Sequence, residues 1–235
     1  MKFSIIVPVL HEVLRIHGLI EHLDHLDSDQ PSEIIVVDGS PDNETIAAIR
    51  SDTVITLTSE TGRARQMNAG ASIARGEILL FLHADTQLPG GALRQISSVI
   101  DQGNCVGGAF ELGIQSDKLI YKALARWASL RCRFTRIPYG DQAIFIRRDY
   151  FDKIGGYKDI PLMEDVELMR RIKKLGDDIC VLPDRVMTSP RRWEEEGFFY
   201  VNVRNTMLAL LYFLGVPPER LARFYKNTYS RYEDS

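Results

Sequence analysis

The chain has 235 residues, with 29 Lys and Arg against 32 Asp and Glu, for a formal charge of −3. Apolar residues make up 45% and charged residues 26%, an ordinary globular composition that suits one large domain or a domain with an extension. That apolar content excludes intrinsic disorder, and the slight acidity excludes a generic nucleic-acid binder.

Phe3 to Val9 is a nearly continuous apolar run and reads as a buried strand, not as a leader peptide. From His11 to Leu26, residues Ile16, Leu19, Ile20, Leu23 and Leu26 recur at helical spacing. Glu33 to Val37 reads as a second strand, ending in Asp38-Gly39-Ser40. Asp42 to Arg50 predicts a short helix and Thr53 to Leu57 a third strand. Arg63 to Arg75 predicts a helix stopped by Gly76. Glu77 to Leu82 is a fourth strand, ending in His83-Ala84-Asp85, and Gly91 to Ile100 the next helix. This alternation predicts an α/β fold with a mostly parallel, doubly wound sheet and ligands at the carboxyl ends of its strands. Asp38 and Asp85 would then line one crevice.

The second half is less regular. Val106 to Ile114 and Gln142 to Arg147 read as strands, Asp117 to Arg131 and Glu164 to Leu175 as helices. Pro161 and Pro183 punctuate connections. Phe198 to Leu214 is a strongly apolar helix, and a last helix starts at Glu219. We expect one α/β domain over residues 1–190 and a helical extension over 191–235 packed on it. The apolar stretch Met207 to Val216 is too short for a membrane span of ~20 residues. Cys105, Cys132 and Cys180 are odd in number and widely spaced, so neither a disulfide framework nor a zinc site is expected, and a reducing cytoplasm fits.

No G-x-G-x-x-G follows the first strand and no GxxxxGK[ST] occurs, which disfavours dinucleotide dehydrogenases and P-loop enzymes. The acidic positions say more. Glu12, Asp38, Asp42 and Asp85 all fall just after strands or in the turns behind them, where a carboxylate can meet a ribose, a base N–H or a divalent cation. Asp38 and Asp42 also suit turn and cap roles, which at Asp42 weigh evenly with a ligand contact. Glu164-Asp165-x-Glu167 begins a helix, so dipole stabilisation competes with catalysis. His22 and His25 lie three apart on a helix with no third ligand at a suitable spacing, as a solvated face would have them. Asp141 in Gly140-Asp141-Gln142 suits a sugar contact or a turn.

Pro8-Val9-Leu10-His11-Glu12, Val37-Asp38-Gly39-Ser40-x-Asp42, Gly62-Arg63-Ala64-Arg65-x-x-Asn68-x-Gly70 and Phe81-Leu82-His83-Ala84-Asp85 occur in order. Together they resemble the nucleotide-sugar half of a family 2 glycosyltransferase of the GT-A fold. Met163-Glu164-Asp165 resembles that family's acidic acceptor-side motif, and Ser189-Pro190-Arg191-Arg192-Trp193 looks like a worn Q-x-x-R-W. The resemblance covers roughly residues 3–193, and the variant motifs resemble the bacterial subgroup labelled arsenosugar-biosynthesis glycosyltransferases.

The resemblance implies a nucleoside-diphosphate sugar donor, with UDP the foremost base, and an unidentified hydroxyl acceptor. Pro8, Glu12, Asp38 and Ser40 would bind the nucleoside. Arg63 or Arg65 would meet the diphosphate, with Asn68, His83 and Ala84 on the same donor side. Asp85 would hold Mg²⁺ or Mn²⁺, with His83 as a second ligand or as a phosphate contact. Asp165 would be the general base giving inversion, with Glu164 as the fallback. Asp141 and Gln142 would serve the acceptor side, and Arg192 and Trp193 would close over the site. His83 stands where the family has the first Asp of D-x-D, and Ser189 replaces the Gln of Q-x-x-R-W; the second change speaks against processive polymer synthesis.

Two alternatives stay open. One is a non-catalytic nucleotide-sugar-binding protein. The other is a peripheral membrane transferase with a lipid-phosphate acceptor, acting at the inner face of a membrane. Eight Lys or Arg and one acid, Asp141, lie between Lys118 and Arg148. With the apolar helix after Phe198, they leave a solvated face, a membrane contact and a homodimer interface all in play.

Overall fold

Side-chain alternation along the first strand, β1 (Phe3–Val9), sets two packed layers. Phe3, Ile5, Val7 and Val9 pack on one face with Ile16, Leu19 and Leu23 of α1 (Val13–Asp24) and Leu93 and Ile96 of α4 (Ala92–Asp101). Ile6 faces the other way, toward Ala64, Met67 and Ala71 of α3 (Arg63–Ile73) and Val166, Leu168 and Ile172 of α7 (Glu164–Lys174). The computed structural model describes residues 1–26 and 29–225.

Between these elements come β2 (Ser32–Asp38), α2 (Glu44–Ala48), β3 (Val54–Thr58), β4 (Ile78–Phe81) and β5 (Thr86–Gln87). Then follow β6 (Gly107–Ile114), α5 (Leu119–Thr135), β7 (Ile144–Arg147), α6 (Arg148–Lys153) and β8 (Ile179–Thr188). The chain closes with α8 (Arg191–Glu196), α9 (Phe198–Phe213) and α10 (Pro218–Ala222). The sheet order is β3-β2-β1-β4-β7-β6-β8-β5. The first four strands are parallel, as their alternation with helices implies. β7 runs antiparallel to β4 and β6, so the second half makes the sheet mixed. Because β1 lies between β2 and β4, the chain leaves it in opposite directions across the sheet, which opens a crevice at its carboxyl end.

Several second-half expectations change. Pro183, expected in a connection, sits within β8. The β6–β8 register jumps between Phe110 and Glu111, so Pro183 and Asp184 occupy a bulge, where a missing N–H costs no ladder bond. The strand expected from Gln142 starts at Ile144, and Gly140–Gln142 form a 3₁₀ turn instead. The expectation of unpaired cysteines is corrected: Cys105 and Cys180 form a disulfide, with Cα atoms 5.9 Å apart across 75 residues of chain. Parallel pairing of β6 with β8 brings them together, which spacing could not reveal. Cys132 is free and buried. α8 to α10 follow the sheet as a helical segment, and residues 226–235 of the expected extension lie outside the described residues.

Where α3 hands over to β4, the backbone passes very close to β1. A Cβ on Gly76 would stand 2.5 Å from the Phe3 carbonyl carbon and the Ser4 nitrogen. The Gly76 N–H donates to Ser4 Oγ, which donates to the buried Glu33 carboxylate. Gly76→Ala is therefore expected to cost about 1–3 kcal/mol. Urea unfolding should show a lower midpoint at an unchanged slope.

Candidate functional site

A cavity of about 330 Å³ opens at the carboxyl ends of β1 and β4. Pro8 and Glu12 line it from the end of β1, and His83, Ala84 and Asp85 from the end of β4. Arg63 lines it from the start of α3, and Asp165 from the start of α7. Asp141, Arg192 and Trp193 complete the expected residues that face it.

The amino end of α7 is built with strain. Met163, its N-cap, takes φ 67° and ψ 23°, a left-handed conformation that costs a non-glycine residue about 1–3 kcal/mol. The turn divides the next two carboxylates. Glu164 points inward, 2% exposed, and accepts a bond from Arg63 Nε at 2.7 Å. Burial pushes its pKa up, and Arg63 opposes the shift. Asp165 points to the cavity. Its Oδ2 accepts from Gly140 N–H at 2.6 Å and its Oδ1 from Val166 N–H at 2.7 Å, so backbone donors fix both oxygens. A Cβ on Gly140 would lie 3.1 Å from His83 Nε2 and 3.4 Å from Asp165 Oδ2, so these three residues converge.

Burial lowers the His83 pKa to about 3, with Arg63 and Arg192 adding to the shift and Asp165 and Glu12 opposing it. The imidazole is therefore neutral and keeps a lone pair. Burial raises Asp141 to about 6; Asp165 and Asp85 add to this, while Arg131 and Arg63 oppose. Asp141 Oδ1 is buried and accepts no hydrogen bond among the described residues. An orphaned carboxylate oxygen, two further carboxylates and a neutral imidazole around one cavity fit a divalent cation or a hydroxyl-rich ligand. Among the described residues, the group whose ligand atoms all lie within 4.8 Å is His11, Asp42 and Glu44, which do not line the cavity. His83 and Asp85 are thus not part of a preassembled three-ligand cage.

Other expected site residues stand outside the cavity. Asp38 is fully buried; it accepts from Ser40 N–H and Oγ–H and from the Thr45 and Ile46 N–H groups, capping α2. Arg65 lies on the flank, paired with Glu60 and Asp159. The Asn68 side chain exchanges two bonds with the Tyr157 backbone. Gln142 donates to Phe110 O and accepts from Tyr139 N–H. Glu12 reaches the cavity clamped between Arg15 and Arg191.

The cavity also takes in residues the motifs did not single out. Gln66 joins the ends of β1 and β2 by donating to Val9 O and Val37 O. Asn205, Leu208 and Tyr225 come from the helical segment, and Tyr225 meets Arg192 through its hydroxyl. Their only sequence signal was the apolar run containing Leu208; nothing local marks Tyr225.

The folded protein holds the Asp141 proton more tightly than an unfolded chain, where a carboxyl titrates near 3.8. That contribution is present below about pH 4 and is lost as pH rises through about 6. Asp141→Asn, free of cation and nucleotide, is expected to stabilise the protein by roughly 1–2 kcal/mol at pH 8, with the gain shrinking on acidification. A pH series of thermal melts checks this; a gain independent of pH would rule out the charge argument.

A family model described as glycosyl transferase family 2 matches residues 4–158. Undecaprenyl-phosphate 4-deoxy-4-formamido-L-arabinose transferase of Yersinia enterocolitica is 31% identical over 157 residues, covering 62% of this chain and 48% of that protein. This chain therefore spans about half the length of that relative. S. aureus TarS 1-349 in complex with UDP-GlcNAc superposes with a TM-score of 0.59 at 20% identity, over 80% of this chain and 58% of that one. The mannosyltransferase PcManGT from Pyrobaculum calidifontis, in complex with GDP-Man and Mn²⁺, superposes with a TM-score of 0.60 at 20% identity, over 79% and 56%. These likenesses show the GT-A fold. With its matched segment running from β1 to beyond β7, the chain belongs to glycosyltransferase family 2.

Proposed function

We propose that this protein transfers a sugar from a nucleoside-diphosphate donor to an acceptor hydroxyl with inversion, assisted by Mg²⁺ or Mn²⁺. The observation that carries the proposal is the convergence of these groups on one cavity. Backbone-fixed Asp165 and His83 meet at Gly140, and Asp85, Arg63 and Arg192 line the same space.

Each carboxylate oxygen of Asp165 keeps one lone pair beyond the bond it accepts. Asp165 takes the acceptor's hydroxyl proton as the acceptor oxygen bonds to the anomeric carbon. The bond from that carbon to the diphosphate oxygen breaks, and its electron pair leaves with the diphosphate. Attack from the face opposite the leaving group inverts the centre. Arg63 and Arg192 hold the diphosphate, and Glu164 keeps Arg63 in place. Held by Asp85 with neutral His83, a divalent cation would neutralise the charge left on the diphosphate. Pro8, Glu12 and Ala84 shape the nucleoside side. Asp38 and Ser40 shape the β2–α2 turn, Asn68 secures the Tyr157 loop, and Gln142 sets the turn that presents Asp141. Arg65 would reach the diphosphate only by leaving Glu60 and Asp159. Trp193 closes the far wall.

A second reading, a lipid-phosphate acceptor, is favoured by the apolar wall of Leu162, Leu208 and Ala209 beside Arg192. The name of the Yersinia relative, an undecaprenyl-phosphate transferase, points the same way. Cytoplasmic placement at a membrane's inner face and the arsenosugar-type subgroup belong to the same proposal.

Thermal melts with UDP, GDP, CDP and dTDP, each with and without Mn²⁺, test the donor site. One nucleotide at 100 times its Kd should stabilise by ~2.7 kcal/mol, and more with the metal. Asp165→Asn is expected to keep that shift while transfer falls about 10²–10⁴-fold. Transfer near the wild-type rate in that variant would exclude Asp165 as the base. Nucleotide binding without donor hydrolysis or transfer in the unmodified protein would favour the non-catalytic alternative.

A further inference from the structure

A helix on the surface of a globular protein normally turns its charges outward and its apolar stripe inward. α9 does the reverse. Its one charged residue, Arg204, is 8% exposed, pairs with Glu196 and lies between the rings of Tyr200 and Tyr225. Outward stand Phe199, Val203, Met207, Leu210 and Leu214, each 57–76% exposed, at steps of four, four, three and four residues.

α5 shares the exposed apolar row but keeps its charges outward. Leu119, Trp127, Leu130 and Phe134 are 54–82% exposed, with Ala123 filling the same helical row. Beside this row runs a second one of Lys118, Lys122, Arg126 and Arg133. Lys118 and Lys122 reach acids only in exposed pairs, with Glu194 at 3.9 Å and Asp117 at 3.3 Å; such pairs are worth little and can be exchanged for phosphate groups. Arg133 pairs with Glu111. The helices meet where Tyr121 of α5 packs edge-on against Phe198 of α9, with ring centroids 5.5 Å apart.

We propose that the outward faces of α5 and α9 dock this protein onto an anionic lipid bilayer, lying in the plane of the interface. An exposed apolar row flanked by a cationic row is the pattern of an interfacial helix, with the cations over lipid phosphates and the aromatic rings at the acyl boundary. No described helix is long and apolar enough to cross a membrane. A second copy fits less well. A two-fold interface sets a face against itself, and neither α5 nor α9 contains an acidic residue to meet the opposing cations. The inner side of α9 carries Asn205, Leu208 and Ala209 into the cavity, so docking would set the site beside the lipid surface.

Flotation with vesicles of phosphatidylglycerol and phosphatidylcholine in equal parts, against phosphatidylcholine alone, tests the proposal without donor or acceptor. Failure here therefore says nothing against the transferase activity. Binding is expected to the anionic vesicles, about tenfold or more above the neutral ones at low salt, and to weaken as salt rises. Lys122→Glu with Arg126→Glu should reduce it about tenfold or more. Trp127→Ala with Phe199→Ala and Leu210→Ala should reduce it comparably at an unchanged melting midpoint, since these side chains are exposed. As an independent measurement, brominated lipid should quench Trp fluorescence in the unmodified protein but much less in Trp127→Phe, which retains only Trp193. Absence of flotation, or flotation that neither set of substitutions reduces, would overturn the proposal. So would a dimer that the alanine set dissociates in a protein that binds no vesicles; that result would assign the face to a second copy.

Discussion

Glu164 is buried at the junction between the parallel half of the molecule and the irregular half, and it needs a cation. Arg63 supplies one across the chain, from the first residue of α3 to the first residue of α7. Removing the arginine would strand the buried carboxylate without a partner, at a cost of about 3–5 kcal/mol. The pair therefore ties two helix amino ends together at the cavity floor. Its position also decides its neighbour: with Glu164 turned inward, the left-handed turn at Met163 leaves Asp165 facing the cavity, held by the Gly140 and Val166 N–H groups.

Charge in the cavity follows from this arrangement. Burial, with Asp165 and Asp85 adding to it, raises Asp141, while burial, reinforced by Arg63 and Arg192, keeps His83 from taking a proton. The ligand-free site thus holds carboxylates that repel one another and a neutral imidazole. Strain gathers nearby: besides Met163, Ala143 takes φ 51° just after the 3₁₀ turn that carries Asp141, and His11 takes φ 56° beside Glu12. Backbone held in such regions needs surrounding structure to enforce it, and here β1, β7 and α7 provide it.

The helical segment after β8 joins the site to the outer surface. α8 delivers Arg192 and Trp193 to the cavity, and Tyr225 meets Arg192 from beyond α10. α9 has two apolar sides separated by a buried arginine. One packs inward through Val201 and Leu208, and the other looks out through Phe199, Val203 and Leu210.

The first half of the fold was legible in the sequence, because β1, β2 and β4 are short, largely apolar runs bounded by turn signals, which read as buried strands. The sequence also pointed to the loops that line the cavity, since the motifs ending β1 and β4 fall at a crossover point of a parallel sheet. Asp38 shows the limit. Its pattern suited a ligand contact or a cap, and only the folded β2–α2 turn showed four donors converging on its carboxylate. Arg65, Asn68 and Gln142 share motifs with cavity residues yet point elsewhere, because neighbours one or two positions apart in a helix or turn face different directions. β8, its bulge at Pro183 and the Cys105–Cys180 pair depend on contacts 70 or more residues apart, which leave no local periodicity to read. The role of Tyr225, the inward charge of Arg204 and the outward apolar face of α9 were likewise settled by tertiary packing, since an all-apolar helix does not say which of its sides the protein will cover.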